Sequence, residues 1–217
     1  MGRVVVAPGR YGRAMLRALA EVVFPAVCPG CGGRGEPVCD ACARTIRRAR
    51  EESPPEGLDA LHVPFAYTGV VREVVARAKY RQRHAALAWL GAAMTNELGA
   101  TPVDLVTWAP TTPARRRARG FDQAEVLATT VAAALGRPCP PILRRAGGAH
   151  QTGRSRAERI DAPHFTVAVP GGARIAGRRV LVVDDVVTTG ATLRAAATAL
   201  RTAGATRVDG LAAARRN

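Results

Sequence analysis

Val180-Leu181-Val182-Val183-Asp184-Asp185-Val186-Val187-Thr188-Thr189-Gly190-Ala191-Thr192 is the stretch that decides the fold. Four β-branched or leucine residues in a row, with no polar break, read as a strand buried on both faces, the pattern of a parallel sheet. Two carboxylates end it. A Thr/Gly loop follows, then a helix expected over residues 192–203 and closed by Gly204. Loop amides and hydroxyls beside a helix N-terminus make a seat for a phosphate, and Gly190 permits close backbone approach. Two acids at that place would repel a bare phosphate, so the ligand should also present hydroxyls or bring Mg²⁺. A sugar phosphate meets both demands, with its phosphate in the loop and its ribose hydroxyls on Asp184 and Asp185. Receiver domains of response regulators share a strand ending in Asp-Asp, but carry a phosphoacceptor Asp on a later strand. Here only 32 residues follow Asp185, and Asp209 is the one later carboxylate side chain.

Outward from this stretch, helical and strand patterns alternate. Residues 61–67 and 103–108 read as strands, and 165–169 as an alternating one. Val70, Val71, Val74, Val75 and Ala78 fall at helical spacing, ending near Lys79-Tyr80, and a second helix is expected over 84–98. Asp122-Gln123-Ala124-Glu125 resembles a capping box that opens a helix to Leu135, closed by Gly136. Residues 144–161 lack periodicity and read as a long Arg-rich loop, and 207–212 as a last strand. Helices alternating with apolar strands imply an α/β domain with a mostly parallel sheet.

The N-terminal part is different. Cys28-Pro29-Gly30-Cys31 and Cys39-Asp40-Ala41-Cys42 are two C-x-x-C pairs, each a tight turn that can aim two thiolates at one centre. Four thiolates suit tetrahedral Zn²⁺ in a closed structural site; an iron–sulfur ligand set and a redox pair are the alternatives. Cys139 is left over and reads as a packed free thiol. Glu51-Glu52-Ser53-Pro54-Pro55-Glu56-Gly57 reads as a linker. It divides a small module at 1–50, opened by an amphipathic helix near 12–24, from the α/β domain at 58–217.

The chain has 217 residues and is 47% hydrophobic, enough for a sizeable core and too much for a disordered tail. No apolar run is long enough to span a bilayer. The fairly apolar stretch 14–27 is interrupted by Arg17, Glu21 and Pro25 and is followed by no cleavage signature, and clustered cysteines suit a reducing compartment, so the expected location is the cytoplasm. Net charge is +15, and among the 32 basic residues only Lys79 is a lysine. Such a uniform bias is that of codon composition, and it still favours polyanions. With four Phe, two Trp and three Tyr, an extensive base-stacking surface is disfavoured.

The segment around Asp184-Asp185 resembles the phosphoribosyl pyrophosphate (PRPP) motif of type I phosphoribosyltransferases. Within that superfamily the chain is similar to the competence-associated ComF family over most of its length. The four cysteines match that family's zinc module. Tyr67-Thr68-Gly69-Val70-Val71-Arg72, leading to Ala78-Lys79-Tyr80, matches its next block. Arg119-Gly120-Phe121-Asp122-Gln123-Ala124 matches its Arg-Gly-Phe-Asn-Gln signature, with Asp122 where Asn is usual. Gln151, Arg156 and Arg159 match its Arg-rich loop, with Ala162 where Asn is common.

The resemblance implies a type I phosphoribosyltransferase fold with a small N-terminal zinc module of four cysteines. It implies PRPP, or another ribose 5-phosphate, bound with Mg²⁺ through residues 184–192. Pyrophosphate contacts then fall to residues 110–112, with Thr111, and to Arg119; Lys79, the lone lysine, reads by its compact ammonium as a further diphosphate contact or as a helix-end lysine. Three readings stay open. An enzyme would transfer phosphoribose from PRPP to a nucleophile. A competence factor would handle single-stranded DNA with other competence machinery proteins, using the Arg115–119 run and the Arg154–159 loop. A regulator would sense PRPP without catalysis.

Overall fold

The computed structural model describes residues 27–34, 37–76, 84–145, 163–168 and 175–216. The expected helix at 12–24, Lys79, Gln151, Arg156, Arg159 and Ala162 lie outside them. In chain order the described elements are α1 (Asp40–Ala43), β1 (Ala60–His62), β2 (Phe65–Ala66), α2 (Gly69–Ala76) and α3 (His84–Thr95). A 3₁₀ turn, Asn96–Leu98, follows, then β3 (Leu105–Trp108), α4 (Pro113–Arg119) and α5 (Gln123–Leu135). The remainder is β4 (Leu143–Arg145), β5 (Phe165–Val167), β6 (Arg179–Val187), α6 (Ala191–Thr202) and β7 (Arg207–Arg215).

The main sheet is parallel throughout, in the order β1-β7-β6-β3, with β2 also pairing β7. The α/β class expected from the strand pattern is the one observed. Leu181 and Val183 point to the face covered by α2, α3 and α5, and Val180 and Val182 to the face covered by α6. Burial on both faces is why that run carries no polar residue. Buried positions in α5 (Ala124, Leu127, Ala128, Val131, Ala132) and α6 (Leu193, Ala196, Ala197, Leu200) recur at helical spacing. Leu193 and Leu200 are fully buried, each removing an apolar side chain worth about 1.5–3 kcal/mol from water.

The structure departs from the sequence reading in four places. The strand expected over 61–67 is broken into β1 and β2, because Pro64 has no amide for the ladder. Its carbonyl instead accepts from Ala49 N–H at 3.1 Å. β6 runs past Val183 through both aspartates to Val187, since β7 continues beside it to Arg215 and supplies partners. The Arg115–119 run, to which the sequence pattern assigns no element, is part of helix α4. Thr112 Oγ1 accepts from Arg115 N–H at 3.2 Å as its N-cap, Pro113 stands at the first turn and Gly120 closes it at φ +81°. Leu143–Arg145, at the start of the expected long loop, pairs antiparallel with Phe165–Val167.

The cysteine module is not a separate bead. Val38 is buried in the core of the α2–α3–α5 face, and Cys42, Ala43 and Ile46 pack against it. Nor is the stretch 51–57 a loose tether. Glu52 is ion-paired with the buried Arg215, and Pro55 lies on Gly190.

Candidate phosphate and metal sites

The C-terminal edge of the parallel sheet is where ligands sit in open α/β folds, in the crevice beyond the strand ends. Here β3 stops at Trp108 opposite Val183, so Asp184 and Asp185 stand just past it. Each aspartate accepts a local amide: Asp184 Oδ1 from Asp185 N–H at 2.8 Å, and Asp185 Oδ1 from Val186 N–H at 2.7 Å. Burial, and next the charge of Asp185, push the Asp184 carboxyl well above its ordinary range. Val186 and Val187 belong to the strand itself. Thr188 and Thr189 are exposed, Gly190 adopts φ +72°, and Ala191 opens the twelve-residue α6, which also takes in Thr192. Thr189 Oγ1 accepts from Ala191 N–H at 3.4 Å, meeting one of the amides that a helix start leaves without an intrahelical acceptor. The close approach that Gly190 allows is taken by this chain: a Cβ there would meet Pro55 Cγ at 2.5 Å.

Asp122 and Gln123, at the start of α5, organise the opposite wall, and both are 2% exposed. Asp122 Oδ1 accepts from Ala124 N–H at 3.1 Å as the N-cap, and its Oδ2 from Thr111 N–H at 2.9 Å. It thereby ties the loop after β3 to α5. Burial raises its carboxyl despite those two amides. Gln123 accepts from the Arg119 guanidinium and donates to the Val75 carbonyl. Arg119 lies 3.9 Å from Asp185. The structure therefore gathers Asp184, Asp185, Arg119 and the Thr111 backbone at one edge of the sheet. The capping box is half made, because Glu125 turns to Arg116 at 3.4 Å.

Sequence reading did not single out Arg145 on β4. Its guanidinium stacks 5.6 Å from the Phe165 ring centroid and is held below its ordinary range by burial and by Arg115, with Asp184 pulling the other way. Nothing in the local sequence marks Arg145, since only the β4–β5 pairing brings it there. Glu52 and Pro55 were also missed, because a Pro/Glu-rich stretch reads as a spacer whether or not it docks.

At the other end of the chain, the Sγ atoms of Cys28, Cys31, Cys39 and Cys42 all lie within 4.8 Å of one another. The first turn is closed by Cys28 N–H to Gly33 O and Gly32 N–H to Cys28 O, both 2.8 Å. The second is the start of α1, with Ala43 N–H on Cys39 O at 2.8 Å. Cys31 Sγ and Cys39 Sγ are 3.7 Å apart. Four sulfurs at ~2.3 Å from one Zn²⁺ stand ~3.8 Å from each other, so the donor set fits a tetrahedral ion. Gly30 belongs to the same fit: a Cβ there would lie 2.8 Å from Cys42 Sγ and 2.8 Å from Val70 Cγ2. Without a cation the four thiols cannot ionise together. Burial opposes ionisation of Cys28, but backbone donors from Cys39, Cys31 and Gly30 outweigh it and bring the thiol to about 6. Cys42 is pushed up to about 12, first by its contact with Cys39. The four cysteines can hold a metal ion. Cys139 sits elsewhere, partly buried against the core.

The chain has counterparts among known proteins. It is similar to a glutamine phosphoribosylpyrophosphate (PRPP) amidotransferase from B. subtilis, at 30% identity over 59% of this chain and 26% of that one, with a TM-score of 0.42. It is similar to an adenine phosphoribosyltransferase from Thermoanaerobacter pseudethanolicus, at 16% identity over 68% and 87% of the two chains, with a TM-score of 0.43. A purine phosphoribosyltransferase from Pyrococcus horikoshii is 17% identical over 58% and 69%, with a TM-score of 0.37. The chain thus spans about a quarter of the length of the amidotransferase it resembles. No curated protein matches the sequence. Residues 123–217, from α5 through β7, match the family model described as phosphoribosyl transferase domain.

Proposed function

We propose that this protein binds PRPP at the C-terminal edge of its sheet and is a phosphoribosyltransferase-like protein of the ComF type. The observation that carries the reading is the sequence Asp184-Asp185, Thr188-Thr189-Gly190, then α6, all inside the segment that matches the phosphoribosyl transferase model. Loop and helix amides at 188–192 would take the 5′-phosphate. Asp184 and Asp185 would accept the ribose hydroxyls. Pyrophosphate would lie against residues 110–112 and Arg119, with Lys79 as a further cation. Mg²⁺, when bound with PRPP, supplies countercharge to the leaving pyrophosphate. In the transferring reading, the C1–O bond to pyrophosphate breaks as a nucleophile bonds to C1, and the protein's part is charge placement. The four-cysteine site holds structural zinc.

The test is titration calorimetry with PRPP and Mg²⁺. Binding at or below millimolar ligand supports the reading; none removes it. Pyrophosphate release with an offered base or amine separates transferase from sensor.

The role in DNA uptake rests on the ComF resemblance, with a cytoplasmic location. Among the described residues no helix is long and apolar enough to cross a membrane. One observation favours direct DNA contact: Arg115, Arg116 and Arg117 are all exposed on α4. Single-strand affinity through that helix should fall on the order of tenfold or more between 50 and 200 mM salt.

A further inference from the structure

Residues 50–57 are fixed firmly at both ends and lightly between. Before them, Ala49 N–H is bonded to the Pro64 carbonyl at 3.1 Å, and Arg48 forks onto both oxygens of Glu97 at 2.8 Å. After them, Leu58 is buried, and Asp59 accepts from Val208 N–H at 2.7 Å and from Arg201. Between these anchors Gly57 O accepts from Arg201 Nε at 3.5 Å on α6, and the chain touches the C-terminal edge of the sheet at two points. Glu52 pairs with Arg215, the last residue of β7, whose partner on β6 is Val187. Three residues later the Pro55 ring lies on Gly190, with its carbonyl accepting from Leu58 N–H at 3.1 Å.

The contacts fall at the loop read above as the phosphate seat. The chemistry of the segment is wrong for a wall of such a seat. Glu51, Glu52 and Glu56 bring three carboxylates against one cation, the exposed Arg50 at the start of the segment. A wall facing a phosphate would carry donors or positive charge. A carboxylate on a buried arginine, next to a ring filling the space over Gly190, has instead the character of an internal anion. Arg215 is 6% exposed, and its Nε has no hydrogen-bond partner, so Glu52 meets only part of its donor capacity.

We propose that residues 50–57 form a strap that competes with the ligand's phosphate for the 188–190 loop and lifts away when the ligand binds. The fixed ends act as hinges, and the Glu52–Arg215 pair is the latch. This rests on the reading of that loop as a phosphate site. The strap also gives the cysteine module a mechanical line to that loop, since it leaves the module at Ala49 and crosses the loop before entering the core at Leu58.

A closed strap lowers apparent affinity in proportion to the fraction of molecules that are open. Loosening the latch should therefore tighten binding about three- to tenfold. Ribose 5-phosphate is titrated calorimetrically into the full chain as wild type, Glu52→Gln and Pro55→Ala. Hydrogen exchange of residues 50–58 is followed with and without saturating ligand. Both variants should bind more tightly than wild type, and ligand should speed exchange in 50–58. Equal or weaker binding by the variants overturns the strap, as does slower exchange on ligand addition, which would make the segment part of the site's wall. Wild-type binding with an unmoved strap defeats this inference alone. Absence of binding in all three proteins defeats the phosphate reading and the strap with it.

Discussion

Two groups of acids are gathered in this molecule, and they are balanced by different means. At the sheet edge, Asp184 accepts from the Asp185 amide and feels the field of Arg145, while Asp185 accepts from the Val186 amide and lies 3.9 Å from Arg119. At the N-terminal module, four cysteine sulfurs lie within 4.8 Å of one another and no described side-chain cation bonds to them. The first group is only partly offset by the protein, so Asp184 keeps a carboxyl raised by burial and by Asp185. The second is completed only from outside, by a metal. A sheet edge can therefore be built before its ligand arrives, whereas the thiolate cluster folds with its ion.

That contrast is tested first by removing the metal. Because Val38, Cys42 and Ile46 pack against the same core as α2, α3 and α5, the loss should not stay local. Cys28→Ser, or a strong chelator, should lower the thermal transition of the whole chain, with a cost on the order of several kcal/mol. Differential scanning calorimetry of the metal-free protein checks this. An α/β transition left where it was would mean that the module is an independent unit. Elemental analysis should find about one equivalent of zinc per chain. Next in size, Gly30→Ala puts a Cβ 2.8 Å from Cys42 Sγ and Val70 Cγ2. It should cost roughly 1–3 kcal/mol as overpacking and weaken metal retention in a chelator competition. Unchanged retention would show that the knuckle yields.

The same contrast explains what could be read without coordinates. The β6 run and the spacing of the cysteines are local signals, each contained in about fifteen residues, and each led to the right element. The pieces that escaped depend on partners far along the chain. Arg145 reaches the site only because β4 pairs with β5. β6 continues through its aspartates only because β7 runs beside it to Arg215. Helix α4 was legible in principle, since Thr112-Pro113 before it and Gly120 after it are a start and a stop. The density of arginine between them hid the signal. Asp122 was visible as a cap, but its second bond, to Thr111 N–H, is tertiary.

At the carboxylates, the prediction runs in two directions. Asp184→Asn with Asp185→Asn removes the anionic acceptors and keeps the side-chain shape. PRPP binding should weaken about tenfold or more, as charge-assisted bonds contribute roughly 1.5–3 kcal/mol each. Stability should move the other way. Asp184 is raised in the folded state by burial and by Asp185, so folding favours its protonated form. Its penalty is absent below the unfolded value, near ~3.9, and grows as pH rises above it. Asp184→Asn should therefore stabilise the ligand-free protein by roughly 1–2 kcal/mol at neutral pH, with the gain vanishing toward pH 3 to 4. Thermal melts at both pH values decide it. A gain equal at both would trace to packing rather than charge.

Cys139 gives the smallest effect and serves as the internal standard for the four-cysteine site. It packs partly buried against the α2–α3–α5 core, and burial, with Glu125 nearby, pushes its thiol up to about 11. The thiolate is the reactive form, so at pH 8 Cys139 should alkylate on the order of a hundredfold more slowly than an ordinary exposed cysteine. Metal-loaded protein should thus show no fast thiol. Chelation unfolds the knuckle and frees Cys42 from the contacts that push its thiol up, so four thiols should then react quickly, with the fifth lagging, while Cys139→Ala leaves the four-thiol burst unchanged. One fast thiol in metal-loaded protein, lost in Cys139→Ala, would place Cys139 in solvent. One lost instead in Cys31→Ser, the most exposed of the four positions, would open the cluster and remove the contrast between a site partly offset by the protein and one finished by a metal.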